Sequence, residues 1–315
     1  MRKVIIVPRN GYINRLQAVA SAQLLAREVG ASLQVIWEPE DAAPANWTTI
    51  FEPNDPPAAF EAPSILAGTG ISLGDSRVGV HDASRSSVFL AGGMLGEQFF
   101  MPQLRTRLSR NWECLVIAAG GKFTLTGSAH LNADAARRFA DQRRSIYRGM
   151  RFNRTILDLV ENGLRRNPEP FLGLHLRYSD RNLQAPSKRQ VRNAVATVLD
   201  LGVENAFIAS DTEKHLDEWS DLLLGLGVKV WSIDAARAAR HEEEGAVGAL
   251  ADWLALSESA FLIYFANSSF GEEAAANGHG MESFPLRTSR ARALSIRTLS
   301  LARSILSYPQ RHWMT

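Results

Sequence analysis

Phe171–Arg181, FLGLHLRYSDR, is the stretch from which the fold is read. Leu172, Leu174 and Leu176 alternate with smaller or polar residues, which predicts a short buried strand over Phe171–Leu176. Where the apolar pattern stops, His175, Arg177, Asp180 and Arg181 fall within seven positions. In an open parallel sheet, ligands bind in the crevice at the carboxyl ends of the strands. A strand that ends in a guanidinium is therefore suited to an anion, and the planar fork of Arg matches phosphate better than Lys does. An Arg–Asp ion pair that merely caps a strand accounts for the same residues.

Downstream of this strand the chain alternates cleanly. A helix is expected over about 187–201, a strand over Asn205–Ala209, a helix over about 213–226 and a strand over Lys229–Ser232. A helix over about 246–257 and a strand over Ala260–Phe265 follow. Polar residues stand at the strand ends: Arg177, then Ser210 and Asp211, then Asn267, Ser268 and Ser269. Three such ends on one rim make a binding crevice. Asp211, in IASDT, also fits a helix N-cap, and HEEEG (His241–Gly245) reads as a solvated helix start rather than a metal site.

Upstream, Lys3–Val7 (KVIIV) is a β-branched run suited to a strand buried on both faces. A helix over about 14–29, closed by Gly30, and a strand over Ser32–Trp37 complete a βαβ unit, the opening of a doubly wound α/β domain. Its first loop carries Arg9, Asn10, Gly11, Asn14 and Arg15 but no G-x-G-x-x-G, and the chain has no P-loop. Gly92, Gly93 and Gly96 read as a turn. Residues 38–85 are rich in Pro, Ala, Gly, Ser and Asp and predict loops, with a short strand near 76–81; Trp47, Phe51 and Phe60 are packing residues or sugar platforms. Cys114–Ala118 is a further strand, and 132–151 and 153–166 are helices with a basic side (Arg137, Arg138, Arg143, Arg144, Arg148, Arg151). Pro168 and Pro170 place a domain boundary near 166–170.

At 315 residues the chain exceeds one ordinary core, so the expected organisation is a domain over 1–167, a second over 168–285 and a terminal helix over 286–315. A formal net charge of +2 gives no support to a protein that wraps nucleic acid. One cysteine, Cys114, forms neither an internal disulfide nor a cysteine zinc site, and it reads as a small buried hydrophobe of a cytoplasmic protein. The first apolar run ends at Pro8, too short for a signal-peptide core, and no run approaches a membrane span. After Glu282 the chain turns Arg/Ser-rich. Leu294, Leu299, Leu301, Ile305 and Leu306 fit an amphipathic helix that packs back on the first domain, with a membrane-surface helix as the alternative.

Three pieces now stand in order: G-x-x-N-R (Gly11, Asn14, Arg15), H-x-R-x-x-D (His175, Arg177, Asp180) and SSFG (Ser268–Gly271) preceded by Asp252. Together they resemble the GDP-fucose-dependent fucosyltransferases of the α1,6, nodulation and protein-O-fucosyl kinds. The resemblance implies the GT-B architecture, two Rossmann-like domains with parallel sheets facing a central cleft. It covers both halves of the chain and is strongest at the start and over Phe171–Gly271. In that family the Arg of G-x-H-x-R contacts the β-phosphate of GDP. An acid sixteen residues before a diphosphate-binding Ser contacts the nucleoside, and Asp252 and Ser268 have that separation. IASDT resembles the family's T/S-D element.

The implied function is a metal-independent, inverting transfer of fucose from GDP-fucose to an acceptor hydroxyl on a glycan or similar molecule. There is no cofactor beyond the donor, no nucleic-acid partner and no Asp-x-Asp pair for a metal. By this resemblance Arg177 stabilises the departing diphosphate, His175 orients the donor, Asp252 holds the nucleoside, and Ser268 and Ser269 hold the phosphates. Asn14 and Arg15 reach donor or acceptor from the first domain. Gly11, Asp180, Asp211, Phe270 and Glu38 are secondary candidates. One departure stands out: some members carry a carboxylate a few residues after the Arg-x-x-Asp element, whereas this chain has Leu183, Gln184 and Ala185. That leaves open either a base from the first domain, such as Glu38 or Glu40, or a transfer without a strong base in which the leaving group departs early. The other readings are a GT-B transferase of another nucleotide sugar and a non-catalytic nucleotide-sugar or glycan-binding module.

Overall fold

The structure, a computed structural model, describes residues 2–52, 79–82, 88–92, 104–106, 108–109, 111–126, 131–178, 185–233, 242–266, 268–278 and 280–287. The chain divides into two compact units, Met1–Leu157 with Ala238–Leu250, and Asp158–Arg237 with Ala251–Thr315. Each is an α/β unit built on a largely or wholly parallel sheet.

In the first unit the strands are β1 (Lys3–Pro8), β2 (Ser32–Val35), β3 (Gly79–Asp82), β4 (Val88–Gly92) and β5 (Cys114–Ala119), ordered β2-β1-β5-β4-β3. All pairs are parallel except β3 with β4. Helix α1 (Tyr12–Glu28) is buried along most of its length, and its Ala18, Val19, Ala22 and Leu25 pack with Val4 and Ile6 of β1 and Leu115 and Ile117 of β5. It ends where Gly30 N–H donates to Arg27 and Ala31 N–H to Ala26, the paired bonds of a Schellman closure.

A short helix α2 (Trp47–Ile50) delivers Trp47 and Phe51 into an aromatic group with Trp37 and Phe152; the Trp47 and Phe51 ring centroids are 4.1 Å apart. Trp47 and Phe51 are thus packing residues, while Phe60 lies outside the described residues. Helix α3 (Ala133–Gly149) is capped by Asn132, whose side chain accepts from the Ala135 N–H, and α4 (Arg154–Arg166) follows. On α3, Arg137, Arg138 and Arg148 are exposed, but Arg143 is buried with its guanidinium 4.4 Å from the Phe139 ring centre, so the basic side is not wholly solvated.

The second unit holds β6 (Phe171–Leu176), α5 (Lys188–Leu199), β7 (Asn205–Ser210), α6 (Glu213–Gly225), β8 (Lys229–Trp231), α7 (Glu243–Ser257, whose first half belongs to the first unit), β9 (Phe261–Phe265), α8 (Ser269–Asn277) and β10 (Glu282–Leu286). The sheet order is β10-β9-β6-β7-β8 and every pair is parallel. The first strand of the unit is thus central, with the next two on one side and the last two on the other. That is the doubly wound order, and its topological switch point lies between β6 and β9.

The two faces of β6 do different things. Leu172, Leu174, Leu176 and Tyr178 join Val191 and Val195 of α5 and Leu216 and Trp219 of α6 in one core. Gly173, His175 and Arg177 alternate with them and therefore lie on the opposite face. A Cβ at Gly173 would sit 3.1 Å from Leu256 Cδ2 of α7, so the missing side chain lets α7 close on this face.

Several elements depart from expectation. Strand β4, within a Gly- and Ser-rich region, and β10, which contains Pro285, were not anticipated; proline is tolerated in β10 because it is an edge strand. Helix α7 begins at Glu243, so Glu243 and Glu244 form its first turn, where acidic side chains complement the helix dipole. Helix α8 was anticipated only as capping chemistry. The expected terminal helix beyond residue 287, Gly93, Gly96, Asp180, Arg181, Leu183, Gln184, His241 and Asn267 lie outside the described residues.

Candidate active site

The second unit's site is built at the carboxyl ends of β6 and β9, on the face that carries His175 and Arg177. His175 is 6 % exposed and stacks on Phe270 of α8, ring centroids 4.8 Å apart and planes 12° from parallel. This contact brings the H-x-R strand against the SSFG helix. Register agrees, since His175 lies opposite Tyr264 of β9, and Tyr264 is the residue on which Gly271 rests. A Cβ at Gly271 would overlap the Tyr264 side chain, so glycine permits α8 to begin directly on β9. Burial, with Glu272 and Glu273 nearby, pushes the Tyr264 hydroxyl up to about 12, which keeps it neutral here. Arg177 is half-buried one position beyond β6.

Ser268 is the N-cap residue of α8, yet its side chain does not cap. Its Oγ is buried without a hydrogen-bond partner, and the residue is 1 % exposed. An N-cap serine normally satisfies a backbone N–H of the first turn. Here the hydroxyl is left to something else, at a helix end that favours anions. Ser269 and Phe270 are half-buried in the same turn.

Asp252 lies in α7, a helix whose Leu250, Ala251, Trp253, Ala255 and Leu256 are all fully buried. One turn before Leu256 it shares that residue's face, the one against β6. Its Oδ1 is buried without a partner, and burial raises its carboxyl well above the ordinary range. A buried carboxyl with no protein donor is costly unless a ligand supplies one. Asp252 and Ser268 thus present two orphaned oxygens on elements that pack against the Gly173–His175–Arg177 face.

Asp211 half-fits its sequence reading. It precedes α6, but the N-cap is Thr212, and the Asp211 Oδ1 instead accepts from the Tyr178 N–H at 2.8 Å.

In the first unit the loop after β1 is held by Arg15, whose side chain is fully buried. Its Nε donates to the Asn10 carbonyl and its Nη1 to the Glu38 carbonyl, each at 2.7 Å. Its Nη2 pairs with Glu40 at 3.0 Å, and the guanidinium lies 4.9 Å from the Trp37 ring centre. A ligand would have to displace one of these acceptors to engage it. Asn10 adopts a left-handed φ of 68° beside this brace. Arg9 pairs with Glu38 at 2.9 Å and with Glu40. Gly11 is the N-cap of α1, and Asn14 is half-buried in its first turn. The sequence reading, which had Arg15 reaching donor or acceptor, did not foresee this brace.

Among the described residues no group of three or more His, Cys, Asp or Glu is disposed to hold a metal, and no helix is long and apolar enough to cross a membrane.

No family model and no curated protein sequence matches the chain. Solved structures do. A variant of Arabidopsis thaliana FUT1 in complex with GDP superimposes with a TM-score of 0.64 at 14 % identity, over 92 % of this chain and 71 % of that one. The fucosyltransferase NodZ from Bradyrhizobium gives 0.56 at 19 % identity, over 87 % of this chain and 91 % of that one. NodZ α-1,6-fucosyltransferase soaked with GDP-fucose gives 0.56 at 18 %, over 88 % and 92 %. The chain has the fold of these transferases.

Proposed function

We propose that this protein is a metal-independent, inverting glycosyltransferase of the GT-B architecture that moves fucose from GDP-fucose to an acceptor hydroxyl. The observation that carries the reading is the pair of orphaned oxygens, Asp252 Oδ1 and Ser268 Oγ, on elements that pack beside the switch point between β6 and β9. The fold shared with GDP- and GDP-fucose-bound transferases makes a guanine nucleotide the ligand of choice.

In this reading the Asp252 carboxyl takes the guanine edge, which offers adjacent N–H donors. The α8 N-terminus with Ser268 and Ser269 takes the diphosphate. Arg177 neutralises charge as the sugar–phosphate bond breaks, the work a metal does in other transferases. His175, flat against Phe270, sets the floor of the donor site. The first unit holds the acceptor, with Asn14 at the loop, Arg15 as its brace and Glu38 as the base. Inversion follows from a single displacement: the acceptor oxygen bonds to the fucose anomeric carbon as the bond to GDP breaks, and the acceptor proton passes to the base.

The test is a thermal-shift panel of GDP, UDP, ADP and GDP-fucose, followed by GDP release from GDP-fucose in water. Stabilisation by GDP and GDP-fucose above the others, with slow GDP release, is expected. Preference for UDP or ADP would assign another donor. Binding of GDP-fucose with no GDP release, even with acceptor glycans supplied, would make the protein a binding module.

A further inference from the structure

The residue that follows β7 touches the chain on both sides of Arg177. The Asp211 N–H donates to the Leu176 carbonyl at 3.2 Å, and the Asp211 carboxylate accepts from the Tyr178 N–H at 2.8 Å. Leu176 and Tyr178 are the two neighbours of Arg177. Both are buried in the core of the second unit, on the face away from Arg177. Tyr178 is fixed further by stacking on His215, centroids 4.0 Å apart, and by an edge-on contact with Phe265 at the end of β9. His215 is held in turn, its Nδ1 2.6 Å from Thr212 Oγ1.

We propose that Asp211 is a positioning residue that aims Arg177 by gripping the main chain immediately before and after it. The strand ends at Leu176, where the Asp211 N–H holds the peptide before Arg177, and the Asp211 carboxylate holds the one after it. Without the carboxylate, the Tyr178 N–H loses its acceptor and the peptide that follows Arg177 is held less firmly. A long side chain amplifies such slack: a small rotation at Cα moves the guanidinium by ångströms. The proposal rests on Arg177 gripping the nucleotide's terminal phosphate, and it assigns Asp211 no contact with the ligand.

Calorimetric titration of GDP and GMP into wild type, Asp211→Ala, Asp211→Asn, Arg177→Ala and the Arg177→Ala/Asp211→Ala double variant tests this. The alanine variant at 211 should bind GDP about tenfold more weakly, the scale of one lost buried hydrogen bond. GMP, which lacks the β-phosphate, should bind all variants alike. The asparagine variant keeps an accepting oxygen and should recover most of the loss. In the Arg177→Ala background, Asp211→Ala should change GDP affinity less than about twofold, the mark of two residues acting as one.

Additive losses, an equal loss for GMP, or no recovery with asparagine would each overturn the proposal. Asp211→Ser, whose shorter side chain falls short of the Tyr178 amide, gives the same comparison should the alanine variant not fold. Wild type that fails to bind GDP would remove the nucleotide reading itself. Wild type that binds GDP with additive variants would remove only the role of Asp211.

Discussion

Replacing Asp252 by Asn should make the ligand-free protein more stable above pH 5 and worse at binding GDP. The sign follows from burial. An Asp in the unfolded chain titrates near pH 3.9, whereas burial raises the folded carboxyl well above that range. Between those two values the folded state keeps a proton that the unfolded state has lost, so stability falls as pH rises. The stabilisation is complete below about pH 4 and is gone once the folded carboxyl ionises. One proton gives a slope of up to about 1.4 kcal/mol per pH unit within that window. For a chain of 315 residues that corresponds to about 1.5 °C in melting temperature per kcal/mol.

Circular-dichroism melts of ligand-free wild type and Asp252→Asn, from pH 4 to 8, read the difference directly. The wild-type curve should fall relative to the variant as pH rises. Guanine donors favour the charged carboxylate, so GDP binding should release a proton, measurable by titration in two buffers of different ionisation enthalpy. Losing a charge-assisted pair should weaken GDP about 10- to 100-fold. Parallel melting curves, or unchanged GDP affinity in the variant, would refute the argument.

The other predictions concern the same elements. Arg177→Ala should lower GDP-fucose turnover at least about a hundredfold, the scale for one charge-stabilising donor, while its melting temperature stays near that of wild type. Gly271→Ala drives a methyl group into Tyr264 and should cost about 1–3 kcal/mol by urea unfolding, with weaker GDP binding because α8 is pushed off β9. Arg15→Lys loses the fork that spans Asn10, Glu38 and Glu40 and should cost about 2 kcal/mol in the same assay. Turnover should be unchanged in excess EDTA; activity that returned only with added Mg²⁺ or Mn²⁺ would place the charge neutralisation on a metal rather than on Arg177.

What could be read from the sequence was set by how local the determining physics is. Strands β6, β7 and β9 and the helices between them were legible because each declares itself within a few residues, through β-branched or leucine runs and the turns between them. Polar residues at the strand ends were legible for the same reason. Which of them face a ligand was not. Helix α7 is apolar on every side, so no periodicity marks the face on which Asp252 sits, and only its spacing to Ser268 drew attention to it. Arg15 read as a residue reaching donor or acceptor, because Glu40, which pairs with it, lies beyond the second strand.

Asp211 shows the limit most clearly. S-D-T-E beside a helix start is a capping pattern, and the family resemblance adds only that Asp211 is a secondary site candidate, with no role attached. Strand pairing sets Leu176 opposite Ser210, which puts the next residue of β7's strand, Asp211, alongside Arg177. A register between strands more than thirty residues apart, fixed by Leu172, Leu174, Ala206 and Ile208 entering one core, brings a capping residue against the main chain on both sides of Arg177. Slipping that pairing by one position would send Arg177 into the leucine core. The residues that bury the sheet therefore also decide which way the cation points.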